Sequence, residues 1–400
     1  MVQIFKNNSI AILDYLSSNP VETPISLYIH IPFCEKKCGY CDFYSITSSE
    51  LIDSFLLALK YEIQLMGTAF TSLPPVKTIF FGGGTPSILT PAQLEDIFSQ
   101  FRLFFDVSSA AEISMEVNPG SATVEHVKGY KQLGVNRISV GVQSFHNDEL
   151  RLLGRIHTAK EAVETIEMID KVGIEHINLD LMCAFQGQTL SSLKSNLQRA
   201  SQLPVNHISC YTLILEENTP FHKLAEQGKF SIFNDEEERV YAELVMQELK
   251  NLGFIQYEVS NYCRADTGRP CLHNLAYWTG IPYLGFGPSA HSYWRNRRWS
   301  NVRHVGKYVD VLDNRKLLPI DYHEVLNPAQ QEFEHIFLSL RMNEGLSLST
   351  FRDRFSKDFQ RKYAALISDL LNSGFAEIDG DRFKLTREGL LLADEIAARF

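Results

Sequence analysis

The stretch that decides the fold is Ser26-Leu27-Tyr28-Ile29-His30-Ile31-Pro32-Phe33-Cys34-Glu35-Lys36-Lys37-Cys38-Gly39-Tyr40-Cys41. Its apolar first half predicts a buried strand, and a loop with three cysteines follows. Three thiolates in so short a loop can ligate one corner of a compact iron–sulfur cluster. A four-iron cluster needs four ligands, and no further cysteine follows in this loop. One iron would therefore be open to a ligand that is not a local thiolate.

Two simpler interpretations of the cysteine loop compete with a cluster. Zinc prefers four nitrogen or sulfur ligands, usually from paired C-x-x-C motifs, and His30 inside a strand is a poor fourth ligand. Cys38 and Cys41 could form a redox dithiol, which leaves Cys34 without a role. C-type haem attachment is excluded because Asp42, not histidine, follows the last cysteine.

Composition indicates a large globular protein outside the secretory pathway. The sequence is 44% hydrophobic and 22% charged, and its formal net charge of −10 argues against general nucleic-acid binding. Seven cysteines, an odd number in a chain of 400 residues, fit reduced thiols and a metal site better than a disulfide framework. We find no signal-like leader and no apolar run that approaches a membrane span, so we expect a cytoplasmic protein.

Strand and helix patterns alternate along the first half of the chain. Such alternation predicts parallel βαβ units, for which a partial (β/α)6 TIM-like barrel is our first choice and an open doubly wound sheet the second. Before the first strand, residues 1–25 are expected to form only a lead, with Pro20 and Pro24 ending any helix. The predicted strands are 26–31, 78–81, 112–117, 137–142, 176–182 and 207–213, and the predicted helices are 50–66, 91–104, one that ends near 133, 158–172 and 190–203.

Chemically informative residues follow these strands, where parallel α/β folds place their sites. The glycine loop Gly82-Gly83-Gly84-Thr85-Pro86 follows strand two and lets backbone amides approach a ligand, although a tight turn is the default for a glycine triplet. Glu116 ends strand three and Asp180 lies late in strand five. Carboxylates on apolar strands are costly to bury without partners, and a capped loop or an ion pair is their simpler explanation.

The C-x-x-x-C-x-x-C spacing, with Tyr40 before the last cysteine, resembles the signature of radical S-adenosylmethionine (SAM) enzymes. The resemblance implies a [4Fe–4S] cluster on Cys34, Cys38 and Cys41, with SAM chelating the open iron. It also implies the fold, a radical SAM barrel. By the same resemblance, the residues that hold SAM are Tyr28, Tyr40, Gly83, Gly84, Thr85, Glu116, Gln143, Arg155 and Asp180.

Further motifs narrow this resemblance to the HemN/HemW family of oxygen-independent coproporphyrinogen III oxidase-like proteins. They are residues 28–34, the glycine loop, residues 139–145 and Gly187-Gln188-Thr189. One branch of the family decarboxylates porphyrinogen propionates, and the other comprises haem chaperones. Phe43 stands where the oxidase pattern usually has a fourth cysteine, and only 33 residues precede the cysteine loop. Both features favour the chaperone branch.

The most specific motif is H-N-x-x-Y-W, which the resemblance ties to haem binding. Imidazole is a common axial ligand of haem iron, and aromatic rings offer flat apolar area to the macrocycle. A turn followed by two core aromatics is the simpler interpretation of such a motif taken alone. Second candidates near it are His291 and Cys271, and Arg295, Arg297 or Arg298 could contact haem propionates. The haem-binding residues that the motif implies are His273, Asn274, Tyr277 and Trp278.

Beyond residue 327 the βα rhythm stops. Helices over 332–342 and 363–373, then a hairpin over 375–385, predict a small α+β domain that resembles a winged helix. Since this part has no basic stripe, we expect packing or partner docking there, not DNA binding. The predicted domains are 1–25, a radical SAM core over 26–255, a haem-binding or connecting region over 256–327, and 328–400.

These features lead to three hypotheses for function. The first is a haem chaperone that binds the cluster, SAM and haem and delivers haem to client haemoproteins, with membrane contact only through those clients. The second is a coproporphyrinogen III oxidase that uses radical SAM chemistry. The third is a structural metal–thiolate protein without SAM.

Overall fold

The first half of the chain alternates strands and helices as its sequence predicts. The computed structural model describes residues 2–20 and 23–400, and all six predicted parallel strands are present. The elements of this half are α1 (Val2–Ser18), β1 (Ile25–Ile31), α2 (Ile52–Gly67), β2 (Pro75–Gly83), a 3-10 helix (Pro86–Ile88), α3 (Pro91–Phe104), β3 (Asp106–Val117), α4 (Val124–Gln132), β4 (Arg137–Gln143), α5 (Asn147–Leu152), α6 (Ala159–Val172), β5 (His176–Cys183), α7 (Leu190–Gln202), β6 (His207–Thr212), α8 (Pro220–Glu226) and α9 (Asp235–Asn251).

The second half of the chain extends the same sheet at both edges. Its elements up to the last domain are β7 (Phe254–Glu258), β8 (Asn261–Arg264), α10 (Leu272–Trp278), β9 (Tyr283–Phe286), β10 (His291–Trp294), β11 (Arg297–Asn301), α11 (Val305–Asp313) and β12 (Ile320–Val325). The twelve strands pair in the order β12-β11-β10-β9-β1-β2-β3-β4-β5-β6-β8-β7. β9 is parallel to β1, so seven strands form the parallel part, and the sheet crosses the predicted boundary at 255/256.

The parallel strands curve around a cavity. Helices α2, α3, α4 and α6 contact one another in sequence on one face of the sheet, and α7 contacts α9. Side chains from the opposite face of β1 through β6 line a single cavity of about 620 Å³. A layer of helices outside and a lined cavity inside are features of a partial barrel, not of a doubly wound sheet.

Residues 1–25 were expected to form only a lead, and here the structure corrects the sequence. The 17-residue helix α1 buries Phe5, Ile12 and Leu16 in the main core. The Asn8 side chain donates to the Ile320 carbonyl over 3.0 Å, which fixes α1 against β12. The local sequence gives little sign of this packing, because β12, against which α1 packs, lies about 300 residues later in the chain. Met1, Val21 and Glu22 lie outside the described residues.

The last domain packs around a second hydrophobic core, which also includes Met246 of α9, and it contains a three-stranded sheet. The predicted hairpin is present. Thr386 caps the first of the two short helices that follow it. Among the described residues, no helix is both long and apolar enough to cross a membrane. The elements of this domain are α12 (Pro328–Leu340), β13 (Leu346–Ser347), α13 (Leu348–Phe355), α14 (Phe359–Lys362), α15 (Ala364–Asn372), β14 (Ala376–Asp379), β15 (Arg382–Leu385), α16 (Arg387–Leu390) and α17 (Ala393–Ala397).

Candidate radical SAM site

The three cysteines of the loop after β1 lie together at the cavity. Each thiol is partly exposed and lines the cavity wall. The loop is held at its start by the Cys34 amide, which donates to the Ile46 carbonyl over 2.9 Å, and at its end by the Cys41 amide, which donates to the Cys38 carbonyl over 3.3 Å. The structure therefore brings the predicted cluster ligands to one face of one loop.

The thiols also affect each other electrostatically. Burial, together with the neighbouring Cys38 and Cys34, raises the pKa of Cys41 to about 11. Three thiolates at this spacing need a compensating positive charge, which the irons of a cluster would supply, so these residues fit such a group. Across residues 2–20 and 23–400, no group of three or more His, Cys, Asp or Glu side chains is placed so that it could hold a single metal ion.

A chain of hydrogen bonds supports two of the cysteine sulfurs. Thr85 Oγ1 donates to Cys34 Sγ over 3.5 Å, and Asn118 Nδ2 donates to Thr85 Oγ1 over 2.8 Å. Arg155 Nη2 donates to Asn118 Oδ1 over 2.6 Å, while Arg155 Nη1 donates to Cys38 Sγ over 3.6 Å. Donors directed at sulfur stabilise the thiolate form. Sequence analysis missed Asn118, although its position directly after β3 was a usable signal.

The glycine loop lines the cavity and uses its backbone amides within the protein. Gly84 N donates to the Ile31 carbonyl over 2.9 Å, Thr85 N donates to the Phe33 carbonyl over 2.8 Å, and Gly83 N donates to Glu116 Oε2 over 3.2 Å. These three amides are thus engaged within the protein. A Cβ on Gly84 would lie 2.6 Å from the Phe33 carbonyl oxygen, so only glycine allows the loop to pack on the end of β1.

Two acidic side chains face the cavity from β3 and β5, which lie on either side of β4. Burial, together with the nearby Asp180, raises the pKa of Glu116 to about 8. Burial also raises the pKa of Asp180, against hydrogen bonds from Ser139 Oγ over 2.8 Å and Asn178 Nδ2 over 2.7 Å. Carboxyl groups whose burial resists ionisation suit a cationic ligand, whose charge would favour their ionised form.

The remaining predicted SAM residues also line this cavity. Gln143, at the end of β4, has a φ of 69°, a left-handed conformation that is uncommon for a residue with a side chain. Tyr28 lines the wall from β1, and its hydroxyl donates to His30 Nδ1 over 3.1 Å, because His30 Nε2 must donate to the Tyr44 carbonyl. Tyr40 packs edge-on against Phe221.

The floor of the cavity is polar, which sequence analysis did not anticipate. Asn178 joins the Ser209 hydroxyl to His207, whose Nδ1 lies 2.5 Å from Asn178 Oδ1. On the other side, buried Arg137 pairs with Glu112 over 3.0 Å. These residues lie on four adjacent strands, β3 through β6. Only the curvature of the sheet shows that they share one floor.

The H-N-x-x-Y-W motif forms α10, against the cavity wall. His273 is 2% exposed and stacks on Phe80. Its Nδ1 lies 2.8 Å from Thr78 Oγ1 and its Nε2 lies 3.0 Å from Tyr277 OH, so both ring nitrogens have partners within the protein. Burial lowers the pKa of His273 to about 3, and the imidazole is neutral.

The other candidate haem-binding residues differ in whether they line the cavity. Asn274 lines the cavity, whereas the indole of Trp278 lies outside its lining, with the guanidinium of Arg341 5.1 Å from its ring centre. Cys271 also lines the cavity, and its thiol donates to Glu112 over 3.4 Å. His291 is exposed on β10.

The three arginines near β10 and β11 have partners away from the cavity. Arg295 donates to the Pro20 carbonyl, Arg297 lies over the ring of Tyr15, and Arg298 pairs with Glu324 and Glu334. None of the three lines the cavity.

Comparison with known proteins defines the class of this chain. Residues 28–200 match the model of the radical SAM superfamily, and residues 326–392 match that of the HemN C-terminal domain. The structure described as "Coproporphyrinogen III oxidase (HemN) from Escherichia coli is a Radical SAM enzyme" superposes with a TM-score of 0.84, over 97% of this chain and 92% of that one. At 24% identity, this similarity shows the fold alone.

Relatives of similar length define the family. "Heme chaperone HemW" of Bacillus subtilis (strain 168) is 37% identical, over 94% of this chain and 98% of that one. The protein of that name from Mycobacterium tuberculosis (strain ATCC 25618 / H37Rv) is 35% identical, over 93% and 94%. "Radical S-adenosyl methionine domain-containing protein 1, mitochondrial" of Danio rerio is 32% identical, over 96% and 88%. The chain belongs to the HemW family, as its motifs predicted, and the predicted radical SAM fold is confirmed.

Proposed function

We propose that the protein is a haem chaperone that carries a [4Fe–4S] cluster and SAM, binds haem and delivers it to client haemoproteins. The observation that carries this proposal is similarity over nearly the whole chain to proteins named for that role. Haem, client proteins and a cytoplasmic location follow from the same similarity as parts of the proposal.

Cys34, Cys38 and Cys41 would hold the cluster. When bound, a cluster of this kind supplies one electron to a SAM molecule chelated at its open iron. The contribution of the protein is to hold three thiolates in one loop and to direct donors at two of them from Thr85 and Arg155. These donors stabilise negative charge on sulfur and fix the orientation of the loop.

The cavity residues would position SAM beside the cysteine loop. Glu116 and Asp180 provide negative charge for the cationic end or hydrogen-bond acceptors for the ribose hydroxyls. Gly83, Gly84 and Thr85 shape the wall next to Cys34. Arg155, linked to Thr85 through Asn118, is anchored by the Gly141 carbonyl, 2.7 Å away. Tyr28, Tyr40 and Gln143 complete the lining.

Haem binding is proposed to involve the motif residues His273, Asn274, Tyr277 and Trp278. For His273 to bind iron, it would have to exchange a hydrogen bond with Thr78 or Tyr277 for a metal bond. We therefore expect iron coordination by His273 only if α10 moves.

The test is anaerobic reconstitution of the wild-type protein and of the Cys34→Ser/Cys38→Ser/Cys41→Ser variant. We expect about four irons per chain and a cluster EPR signal that SAM perturbs in the wild type, and neither in the variant. Cys263→Ser, a buried cysteine on β8, is the matched control and should retain the cluster. A cluster that survives the triple substitution would contradict the assignment, and absence of SAM binding would favour a structural metal–thiolate protein.

Haem binding and coproporphyrinogen decarboxylation are then measured on the same reconstituted protein. Retention of haem without decarboxylation, and transfer of haem to an apo-haemoprotein, are the expected results. Robust decarboxylation would instead support the coproporphyrinogen III oxidase as the alternative function.

A further inference from the structure

Two loops flank the opening of the cavity and carry exposed apolar side chains. The loop after β1 contributes Phe43, which is 66% exposed. From the loop after β6 come Ile214, which is 67% exposed, and Tyr211 at the end of the strand, which is 43% exposed. Large apolar side chains grouped at a cavity opening are typical of a binding surface.

Phe43 is exposed on a backbone that is held in place. Lys37 Nζ donates to the Phe43 carbonyl over 3.1 Å. The adjacent residue is fixed by Arg303 Nη2, which donates to the Asp42 carbonyl over 2.7 Å and to Asp42 Oδ1 over 3.1 Å. The fold thus presents this ring to solvent on a fixed segment of chain.

The opposite loop is tied to the sheet and to the cysteine loop. Leu213 N donates to the Cys183 carbonyl over 3.0 Å, and Phe221 N donates to the Gly39 carbonyl over 3.0 Å. Ile214 follows the first of these bonds directly. The two apolar sides of the opening are consequently held in a fixed relation to each other.

The interior of the cavity differs from its opening. Its floor contains buried polar side chains that pair with each other, including Arg137 with Glu112 and Asn178 with His207. His273 uses both ring nitrogens within the protein. At the opening, a large flat apolar ligand can therefore cover apolar surface without displacing hydrogen bonds. At the floor it would have to displace them.

Charge at the opening is unequal on its two sides. Lys36 and Lys37 are exposed on the side of Phe43, where the carboxylate of Asp42 is already paired with Arg303. Glu216 lines the side of Ile214. A ligand with carboxylate groups would direct them toward the lysines and away from Glu216.

We propose that this opening is the seat of haem. The macrocycle lies between Phe43 on one side and Ile214 and Tyr211 on the other, and its propionates pair with Lys36 and Lys37. This inference rests on the proposed haem-chaperone function and adds to it the place and orientation of the bound haem. With haem seated at the opening, His273 would bind the iron only after α10 moves.

The test is titration of reconstituted protein with haem, followed by Soret absorbance. Phe43→Ser and Ile214→Ser should each weaken haem binding about tenfold or more, because each removes apolar area that the macrocycle covers. Lys36→Glu, which leaves the bond from Lys37 to the Phe43 carbonyl in place, should weaken binding of haem but not of haem dimethyl ester, whose carboxyl groups carry no charge. Leu103→Ser, at a side chain that is 63% exposed on α3, and Lys128→Glu, on α4, are the matched controls and should bind as wild type.

Iron content and EPR are measured for every variant, since Lys36 and Phe43 lie in or beside the cluster loop. Ile214 lies outside that loop, so its variant tests the seat independently of the cluster. Unchanged haem affinity in Phe43→Ser and Ile214→Ser with an intact cluster would overturn this inference while leaving the proposed function standing. Failure of the wild-type protein to bind haem would instead refute the proposed function, and this inference with it.

Discussion

Glu116 connects the geometry of the cavity to a measurable dependence on pH. Its pKa of about 8 is raised by burial and by Asp180, and lowered by the hydrogen bond from Gly83 N. At neutral pH most of the free protein therefore holds a proton on this carboxyl group. A cation that binds beside Glu116 favours its ionised form, so binding releases that proton.

The affinity for SAM should accordingly rise with pH up to about pH 8 and then level. Glu116→Gln cannot ionise, and it should bind SAM more weakly and with a smaller slope against pH. Asp180 lies in the same site and its pKa is also raised, so the SAM affinity of Glu116→Gln should still depend somewhat on pH. Arg155 stays charged over this pH range and adds no pH dependence. Equilibrium dialysis of the reconstituted protein between pH 6 and pH 9 measures the affinity for SAM. When binding releases one proton, the affinity changes by about tenfold per pH unit.

Glu125→Gln, at an exposed position on α4, is the control and should leave the wild-type profile unchanged. Identical pH slopes in the wild type and in Glu116→Gln would show that Glu116 takes no part in binding the cation.

Among the elements, α2 shows how a single buried charge joins distant parts of the chain. Glu62 is 2% exposed, and its carboxyl group accepts from Gly287 N over 2.8 Å, Asn301 Nδ2 over 2.5 Å and Tyr308 OH over 2.5 Å. These partners belong to the turn after β9, to β11 and to α11. One side chain thus fixes α2 to three elements that follow it by more than 200 residues.

Glu62→Ala should lower the free energy of unfolding by about 3 kcal/mol, because three buried donors lose their acceptor. Glu62→Gln keeps the shape of the side chain and should cost less. Burial raises the pKa of Glu62 to about 7, so the wild type should lose stability as pH rises from the usual carboxyl range to about 7. Both Glu62 variants should lack this loss.

Chemical denaturation at pH 5 and pH 7.5 measures both effects, with the exposed Asp53→Ala on the same helix as control. A loss below about 1 kcal/mol in Glu62→Ala would show that water replaces the carboxylate and that the three bonds contribute little.

Local sequence signals predicted some elements well and others not at all. Strand four was predicted over 137–142 and observed as Arg137–Gln143, because Ile138, Val140 and Val142 alternate with residues that face the cavity. β10 and β11 are only four and five residues long, and polar side chains dominate them. β10 forms by pairing with β9, and β11 forms between β10 and β12. Their own sequences carry no sign of these partners.

The candidate site was predictable to the same extent. The cysteines, Glu116 and Asp180 stand at strand ends, so the sequence could place them together once a parallel sheet was assumed. The partners of His273 could not be predicted, since Thr78 lies 195 residues away along the chain. Long-range contacts of this kind depend on the curvature of the whole sheet.

At the scale of the whole molecule, the sheet does not stop where the sequence suggested a domain boundary. β9 pairs with β1, the strand that leads into the cysteine loop, and β8 pairs with the other end of the parallel set. Removal of everything after residue 255 would leave both edges of that set unpaired. Exposed apolar strand edges promote association between molecules.

A fragment of residues 1–255 should therefore aggregate, even though it contains every predicted radical SAM residue. A fragment of residues 1–327 keeps all twelve strands of the large sheet and should be monomeric, because the core of the last domain includes little of this part of the chain beyond Met246 and Val259. Size-exclusion chromatography and thermal unfolding of the two fragments, compared with the full chain, measure this difference. Cooperative unfolding of a monomeric 1–255 fragment would show that the six βα units are stable alone and that the predicted boundary at 255 is a true domain boundary. Aggregation of the 1–327 fragment would show that the C-terminal domain also stabilises the sheet, through contacts such as that of Arg341 with Trp278.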